Sequence, residues 1–481
     1  MSGNVYSLKT NDQTIHILNA ELLDSDGKTR LTNATIEGSQ FIETTSHANL
    51  AAGSTVIDAK GNLLIPGLHD HHTHMVAYAA SLVSINCGPP DVVSEADLKS
   101  ALRAQSGHLW LRGTGYHESV AGHLDRHWLD TWASNRPIRI QHRSGRLWIF
   151  NSLGMQMIAK AALSLTPHER ARLNSEDGRL YDVDELLGKL TRSDAPPVRL
   201  ASRQLAAFGV TGVNDMTPSN NPETWHWFKE LQACQDLLQK VRMSGRPALC
   251  GCHGTPLLSV GETKVHLHDS SLPDFDDFVS IIKKSHEKQR NVAVHCVTEV
   301  ELVYTLSAFR SASALPGDRI EHASVIPPAL IEQLYALGLN VVTQPNFVHE
   351  RGDAYLKDIP STEHTFLYRT NSLMLAGVPT AFGTDLPFGN PDPWAAMDAA
   401  TKRTTSGGYR LNDAERITPE SALNGFLGEL SAPSSIRSIK PGAPADCCLL
   451  DAPWQVLRND LSSTHVMMTF RAGELVYARD S

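Results

Sequence analysis

Apolar residues follow two rhythms along this chain, and the switch between them marks its organisation. From about Gln13 to Asp58 the runs are short and β-type, Thr14-Ile15-His16-Ile17-Leu18 and Ala34-Thr35-Ile36, divided by turn clusters such as Asp24-Ser25-Asp26-Gly27. The same texture returns in Asp446-Cys447-Cys448-Leu449-Leu450-Asp451 and in a hairpin pattern from Met468 to Tyr477. We read the two ends as one small antiparallel sheet domain, a β-sandwich of residues 1–65 and 426–481. Between them strand-like runs alternate with helical spacing. Phe275, Phe278, Val279 and Ile282 precede Val292-Ala293-Val294-His295, and Leu330, Ile331, Leu334 and Leu337 precede Leu339 to Thr343, with Gly338 at the C′ position. Parallel strands joined by helices predict an α/β fold, a (β/α)8 TIM barrel over residues 66–425. Candidate strand ends fall near His74, Gly113, Gln141, Asp215, Lys264, His295, His322, Gln344 and Asp385, one more than eight, so one early end is assigned to an insertion. That insertion is the irregular stretch of about 87–203, expected to cover the barrel mouth.

Composition narrows the classes of function. At 481 residues the chain has room for a large domain and a smaller partner. Its net charge of −9 comes without a polybasic run, which argues against nucleic acid or an anionic membrane as partner. Met1 to Ser7 lacks a basic segment leading into an apolar core, and no run of about eighteen apolar residues occurs. The expectation is a cytoplasmic protein acting on a small molecule and assembling as a homo-oligomer, a dimer. Seven dispersed cysteines do not suggest a disulfide framework. Cys250 and Cys252 lack a second pair to complete a zinc site and are read as buried thiols.

The chemistry is concentrated in Pro66-Gly67-Leu68-His69-Asp70-His71-His72-Thr73-His74, after the apolar Leu63-Leu64-Ile65. Strand alternation puts Asp70, His72 and His74 on one face. Two imidazoles just past a strand end can hold one metal ion through neutral ring nitrogens. An isolated His-x-His is equally compatible with a hydrogen-bonded turn, so other residues must decide. Lys264, His295, His322 and Asp385 each stand where an apolar strand finishes. Each alone has a structural alternative as a core histidine, helix cap or ion pair. In a barrel, however, such ends converge on one mouth.

Pro66-Gly67-Leu68 through His74, Gly209-Val210-Thr211, Val294-His295, Arg319-Ile320-Glu321-His322-Ala323, Gln344-Pro345, Gly383-Thr384-Asp385 and Pro441 through Asp446 form a set. With that set the chain resembles the amidohydrolase superfamily, in the branch of YtcJ-like proteins and N-substituted formamide deformylase. The resemblance implies a barrel capped by a sheet from both termini. It also implies one metal held by His72, His74 and Asp385, and a second by His295 and His322. Lys264 matches the place where many members carry a carboxylated lysine bridging the two ions. An unmodified ammonium has no acceptor and cannot ligate, so an unmodified Lys264 would imply one ion. Zinc suits the imidazole-rich set, with iron, manganese and cobalt left open. Relatives typically have a histidine where Arg146 stands in His142-Arg143-Ser144-Gly145-Arg146, ahead of Asn151-Ser152. A guanidinium there could hold a carboxylate bidentately, suggesting an anionic substrate; a structural pair within the insertion is the alternative. Tyr116 and His117 follow a strand-like run and are further candidate pocket residues, with a loop hydrogen-bond network as the other reading.

One or two divalent ions would lower the pKa of bound water from about 15.7 toward about 7 and supply hydroxide at neutral pH. Asp385 would move the proton from the attacking hydroxide to the leaving nitrogen. The expected activity is hydrolysis of a non-peptide amide or related C–N bond. Lactone opening, deamination or decarboxylation on the same site is the main alternative. A non-catalytic scaffold or a nucleic-acid binder ranks below these.

Overall fold

Eight parallel strands form the central sheet: β1 (Leu68–Thr73), β2 (Val210–Asp215), β3 (Lys240–Gly245), β4 (Leu258–His266), β5 (Val292–Cys296), β6 (Arg319–His322), β7 (Asn340–Thr343) and β8 (Thr380–Phe382). The computed structural model describes residues 14–480 apart from 25–26, 46–49, 51–52, 90, 105–109, 133–134 and 191–194. Beyond β8 the sheet closes on β1, where Asp385 N donates to His72 O at 2.9 Å and His74 N to Leu386 O at 3.0 Å. Closure requires Gly383, because a Cβ there would lie 2.5 Å from the His72 backbone nitrogen. The fold is therefore a TIM barrel, as its alternating pattern predicts.

Helices cover the outer faces of β4 to β7. Phe278, Val279 and Ile282 of the helix Phe275–His286 and Leu330, Ile331 and Leu334 of the helix Pro328–Ala336 are buried against Val292, Val294, Ile320 and Val341. These are the positions that the helical spacing selects, and Gly338, at φ 64°, follows the second helix as a C′ residue. Register then fixes the rim: Lys264 lies opposite Ala293, His266 opposite His295, and Cys296 opposite His322.

Both ends of the chain contribute to a second, eight-stranded sheet. Its apolar core includes Ile15, Ile17, Ile36, Phe41, Leu64, Cys447 and Phe470, which makes the sandwich domain a core separate from the barrel. The expectation of an antiparallel sheet needs correction. Ile15–Leu23 pairs in parallel with both Thr55–Asp58 and Leu63–Pro66. Leu63–Pro66 thus belongs to this sheet and not to the strand that carries the histidines. Ser25 and Asp26 of the expected turn, and the N-terminal Met1 to Ser7, lie outside the described residues.

The count of barrel strands is also corrected. Gly113 and Gln141 both lie in a separate compact unit, Val76–Val198, and β3 takes a place that the apolar pattern does not show. In β3 only Val241 and Met243 are apolar core residues, since Arg242 Nε donates to Glu262 at 3.1 Å and Ser244 Oγ at 2.6 Å. Buried polar pairing across β3 and β4 erases the hydrophobic signal. The unit Val76–Val198 has its own five-stranded sheet, ordered Arg179–Tyr181, Leu147–Phe150, Ile138–His142, Leu111–Tyr116 and Ile85–Asn86, with apolar clusters around Ile140 and Phe150. All seven cysteines are free thiols, and Cys250 is exposed and Cys252 half-buried, contrary to the reading of that pair as buried. Among the described residues no helix is long and apolar enough to cross a membrane.

Candidate metal centre

His72, His74 and Asp385 bring one ligand atom each within 4.8 Å of one another. β1 supplies His72, the next residue past its end is His74, and the turn after β8 supplies Asp385 with a left-handed φ of 57°. That backbone state is uncommon for an aspartate outside a turn and aims the carboxylate back at β1. Asp385 Oδ1 lies 3.4 Å from His72 Nε2 and 3.2 Å from His74 Nε2, yet it is buried without a hydrogen-bond partner. Burial would raise this carboxyl, but the neighbouring His72, His74 and His322 rings outweigh burial and hold it below the usual carboxylate range.

The row of imidazoles continues across the rim. The His72 and His322 rings are 4.7 Å apart, His322 and His295 4.4 Å, and His295 and His266 4.1 Å. Adjacent residues of a regular strand face opposite ways, so Glu321 and His322 cannot both reach His72 from an extended β6. The left-handed φ of 71° at His322 and 47° at Ala323 breaks the alternation and turns both inward. Burial keeps these rings neutral, with His322 lowered to about 4 and His72 and His295 also pushed well down. Neutral imidazole is the form that ligates. Lys264, within β4, is buried and its Nζ has no hydrogen-bond partner; desolvation lowers it to about 8 against the pull of Glu321.

Groups behind these side chains orient them. Glu321 Oε2 accepts from His72 Nδ1 at 2.5 Å and is gripped in turn by the buried Arg319, whose Nη2 reaches it at 3.1 Å and the His71 carbonyl at 2.7 Å. His322 Nδ1 donates to Gln344 Oε1 at 2.7 Å, and His74 Nδ1 lies 3.0 Å from Thr217 Oγ1. A ligand histidine whose second nitrogen is fixed presents a defined tautomer and lone pair. Sequence reasoning used Glu321, Arg319 and Gln344 only as motif letters and gave them no role. The available signal was a charged pair inside a four-residue buried strand, which demands partners. Asp70 does not join the ligand face. Its carboxylate accepts from Thr384 N at 3.0 Å, Thr384 Oγ1 at 2.5 Å and His72 N at 3.2 Å, and so ties β1 to β8.

The remaining candidates lie in the unit Val76–Val198. Arg146 forms a bidentate pair with Asp182, Nε to Oδ1 at 2.9 Å and Nη2 to Oδ2 at 2.7 Å. Tyr116 is buried, its hydroxyl donating to Gly122 O at 2.7 Å, and His117 Nδ1 lies 2.8 Å from Ser119 Oγ.

Together the donor set fits a divalent cation: neutral imidazoles, an ionised carboxylate, and two buried polar atoms, Asp385 Oδ1 and Lys264 Nζ, lacking hydrogen-bond partners. His72, His74 and Asp385 form a candidate one-ion site; His295, His322 and Lys264 are grouped beside it.

Comparison with known proteins agrees with this geometry. The chain is 22% identical to N-substituted formamide deformylase of Arthrobacter pascens, over 98% of this chain and 99% of that one. It is 20% identical to the YtcJ amidohydrolase of Bacillus subtilis, described as putative, over 88% and 90%. A crystal structure of an uncharacterized metal-dependent hydrolase from Pyrococcus horikoshii superposes with a TM-score of 0.76 at 18% identity, covering 94% of this chain and all of that one, which shows a common fold. The model of the amidohydrolase family matches residues 55–477, and with the barrel and its rim of histidines in view, the chain belongs to that family.

Proposed function

We propose that this protein hydrolyses a non-peptide amide or related C–N bond of a small molecule, using divalent cations held at the rim of the barrel. The observation that carries the proposal is the convergence of His72, His74 and Asp385 within 4.8 Å, with the His322 ring centred 4.7 Å from that of His72. Held by His72, His74 and Asp385, a divalent cation would lower the pKa of water toward about 7 and polarise a carbonyl oxygen. Zinc is the metal we propose from the imidazole-rich donor set.

The chain's own groups then do three things. Asp385 stays ionised beside the imidazoles, and with Oδ1 facing His72 and His74 its carboxylate would accept a proton from the attacking water and deliver it to the departing nitrogen. The Arg319–Glu321 pair keeps His72 in the tautomer with its lone pair on Nε2. Lys264, with its ammonium disfavoured by burial, is in part the free amine that reacts with CO₂, and the resulting carbamate would supply the acceptor oxygens that an ammonium lacks. The name of the formamide deformylase relative supports amide hydrolysis over other reactions. Because Arg146 is already paired with Asp182, the contact for an anionic substrate is better sought at the barrel rim.

The test is turnover by metal-loaded protein of a panel of N-acyl amines, lactones and aminated heterocycles. Amide hydrolysis that stops with a chelator and returns with zinc is the expected result. Turnover restricted to lactones or heterocycles would replace the amide assignment with lactonase or deaminase activity.

A further inference from the structure

Helix Asn346–Asp358 leaves the end of β7 and carries Arg351 on its second turn. The Arg351 guanidinium stacks on the Phe347 ring with Cζ 3.7 Å from the centroid, one helical turn away. Its Nη2 donates to the Phe388 carbonyl at 2.6 Å, and Phe388 N in turn donates to the Asp385 carbonyl at 2.7 Å. The Phe388 ring meets His74 edge-on at 5.4 Å. Arg351 is thus fastened to the same turn that presents Asp385, one side chain away from His74.

What Arg351 lacks is a carboxylate in direct contact. Among the described residues its guanidinium makes no ion pair, and its one side-chain hydrogen bond is to Phe388. The neighbouring Glu350 is turned elsewhere, with Oε1 accepting from Asn346 Nδ2 and from Asn390 N, each at 3.0 Å. Arg351 is half-buried; burial opposes its charge, but the surrounding Tyr355, Tyr368, Asp385 and Glu350 outweigh burial and keep it a firm cation, with donors beyond Nη2 left for a bound anion. Phe347 and Phe388 hold the fork in one place, so a bound anion would meet a preorganised donor edge. Tyr355 and the buried Tyr368, the latter bonded through its hydroxyl to Ser324 Oγ at 3.1 Å and to Tyr355 at 3.0 Å, stand close by.

We infer that Arg351 anchors the carboxylate of the substrate, so that the scissile amide belongs to a small carboxylate-bearing N-acyl compound whose carbonyl lies toward His74 and Asp385. The inference rests on the hydrolase reading above for the amide, and on Arg351 alone for the anion. Nothing in the sequence pattern marked this residue, because on a helix it reads as an ordinary surface arginine.

The experiment compares wild type, Arg351→Met and Arg351→Gln, each metal-loaded, with two probes: N-acetylglycine, which is anionic, and N-acetylglycinamide, which is neutral. Calorimetry measures binding and product analysis measures hydrolysis. The wild type is expected to bind the anionic probe about tenfold to 100-fold more tightly than the neutral one, as a charge-assisted contact provides. Both variants should lose that preference, with Kd or KM rising more for the anion than for the neutral probe. Glutamine keeps a donor for the Phe388 carbonyl, so a preference that survives in Arg351→Gln assigns the effect to support of the turn and overturns the inference. A wild type that does not discriminate between the probes also overturns it. Turnover of both probes without discrimination would leave the hydrolase reading standing and remove the anchor. Arg351-dependent binding of the anion without turnover of either probe would keep the anchor and count against amide hydrolysis.

Discussion

The two halves of the candidate metal centre are built to different standards. On the β1/β8 side, His72 is held by Glu321, His74 by Thr217, and Asp385 by a turn hydrogen-bonded to β1, so three donors already converge within 4.8 Å. On the β4 to β6 side, His322 is fixed by Gln344, but the His295 ring lies against the His266 and His322 imidazoles, and Lys264 Nζ is buried with no hydrogen-bond partner. The first half is complete as the chain folds; the second needs something added. Preorganisation therefore differs across about one ring's width, and the difference suggests that one ion is retained firmly while a second depends on modification of Lys264.

Removing the completed half should have the largest effect. Asp385→Asn keeps the size of the side chain but not its charge or proton affinity, and kcat should fall by about 10³-fold while the unfolding midpoint of the metal-free protein stays within a few degrees. Near-normal turnover would remove Asp385 from proton transfer. Lys264→Met strikes the unfinished half: metal content should drop from about two ions to about one, and the dependence of activity on added CO₂ should vanish. Unchanged metal content would mean that Lys264 does not bridge. Glu321→Gln should weaken metal binding by about tenfold to 100-fold through His72, measured by competition with a chromophoric chelator, and Gln344→Ala should act more weakly and on the second ion only. Equal effects of the two would erase the proposed asymmetry.

The smallest effect is on stability against pH. His322 has a folded-state value lowered to about 4 from an ordinary 6.5, so between those values the unfolded chain binds a proton that the folded chain refuses. The His322 contribution to the stability of the metal-free protein should therefore be full above about 6.5 and be lost as pH falls through that window, and His322→Asn should flatten the slope there. Lys264, lowered to about 8 from 10.5, acts in the same direction at higher pH: the unfolded chain holds the extra proton, so metal-free protein gains stability as pH rises from about 8 to 10.5. Denaturant midpoints across pH measure both, and a flat profile for wild type would contradict the depressed values.

Much of this centre was legible in the sequence because the barrel converts strand ends into neighbours. His72, Lys264, His295, His322 and Asp385 are polar residues at or near the finish of apolar runs, and in the structure they face one rim. What could not be read are pairings that depend on which strands are adjacent. His72 and Glu321 are 249 residues apart, and their contact also needs the left-handed turn at His322 that no periodicity encodes. β3 was hidden for a related reason: its polar Arg242 and Ser244 are satisfied by Glu262 on the next strand, so a buried strand looked like a surface one. Gly113 and Gln141 misled in the opposite sense, since a strand pattern does not say to which sheet it belongs. Arg351 escaped notice because its distinction, a guanidinium fastened to the turn that presents Asp385, exists only once the helix is in place.

Metal stoichiometry of purified protein by inductively coupled plasma mass spectrometry, for wild type and for a His72→Ala, His74→Ala double variant, bears most directly on the claim that these rings hold a cation. The account predicts about one to two equivalents of a divalent metal in the wild type and a drop of about one equivalent in the variant. Equal metal content in both proteins, or a wild type that takes up no metal when loaded with zinc, would contradict it.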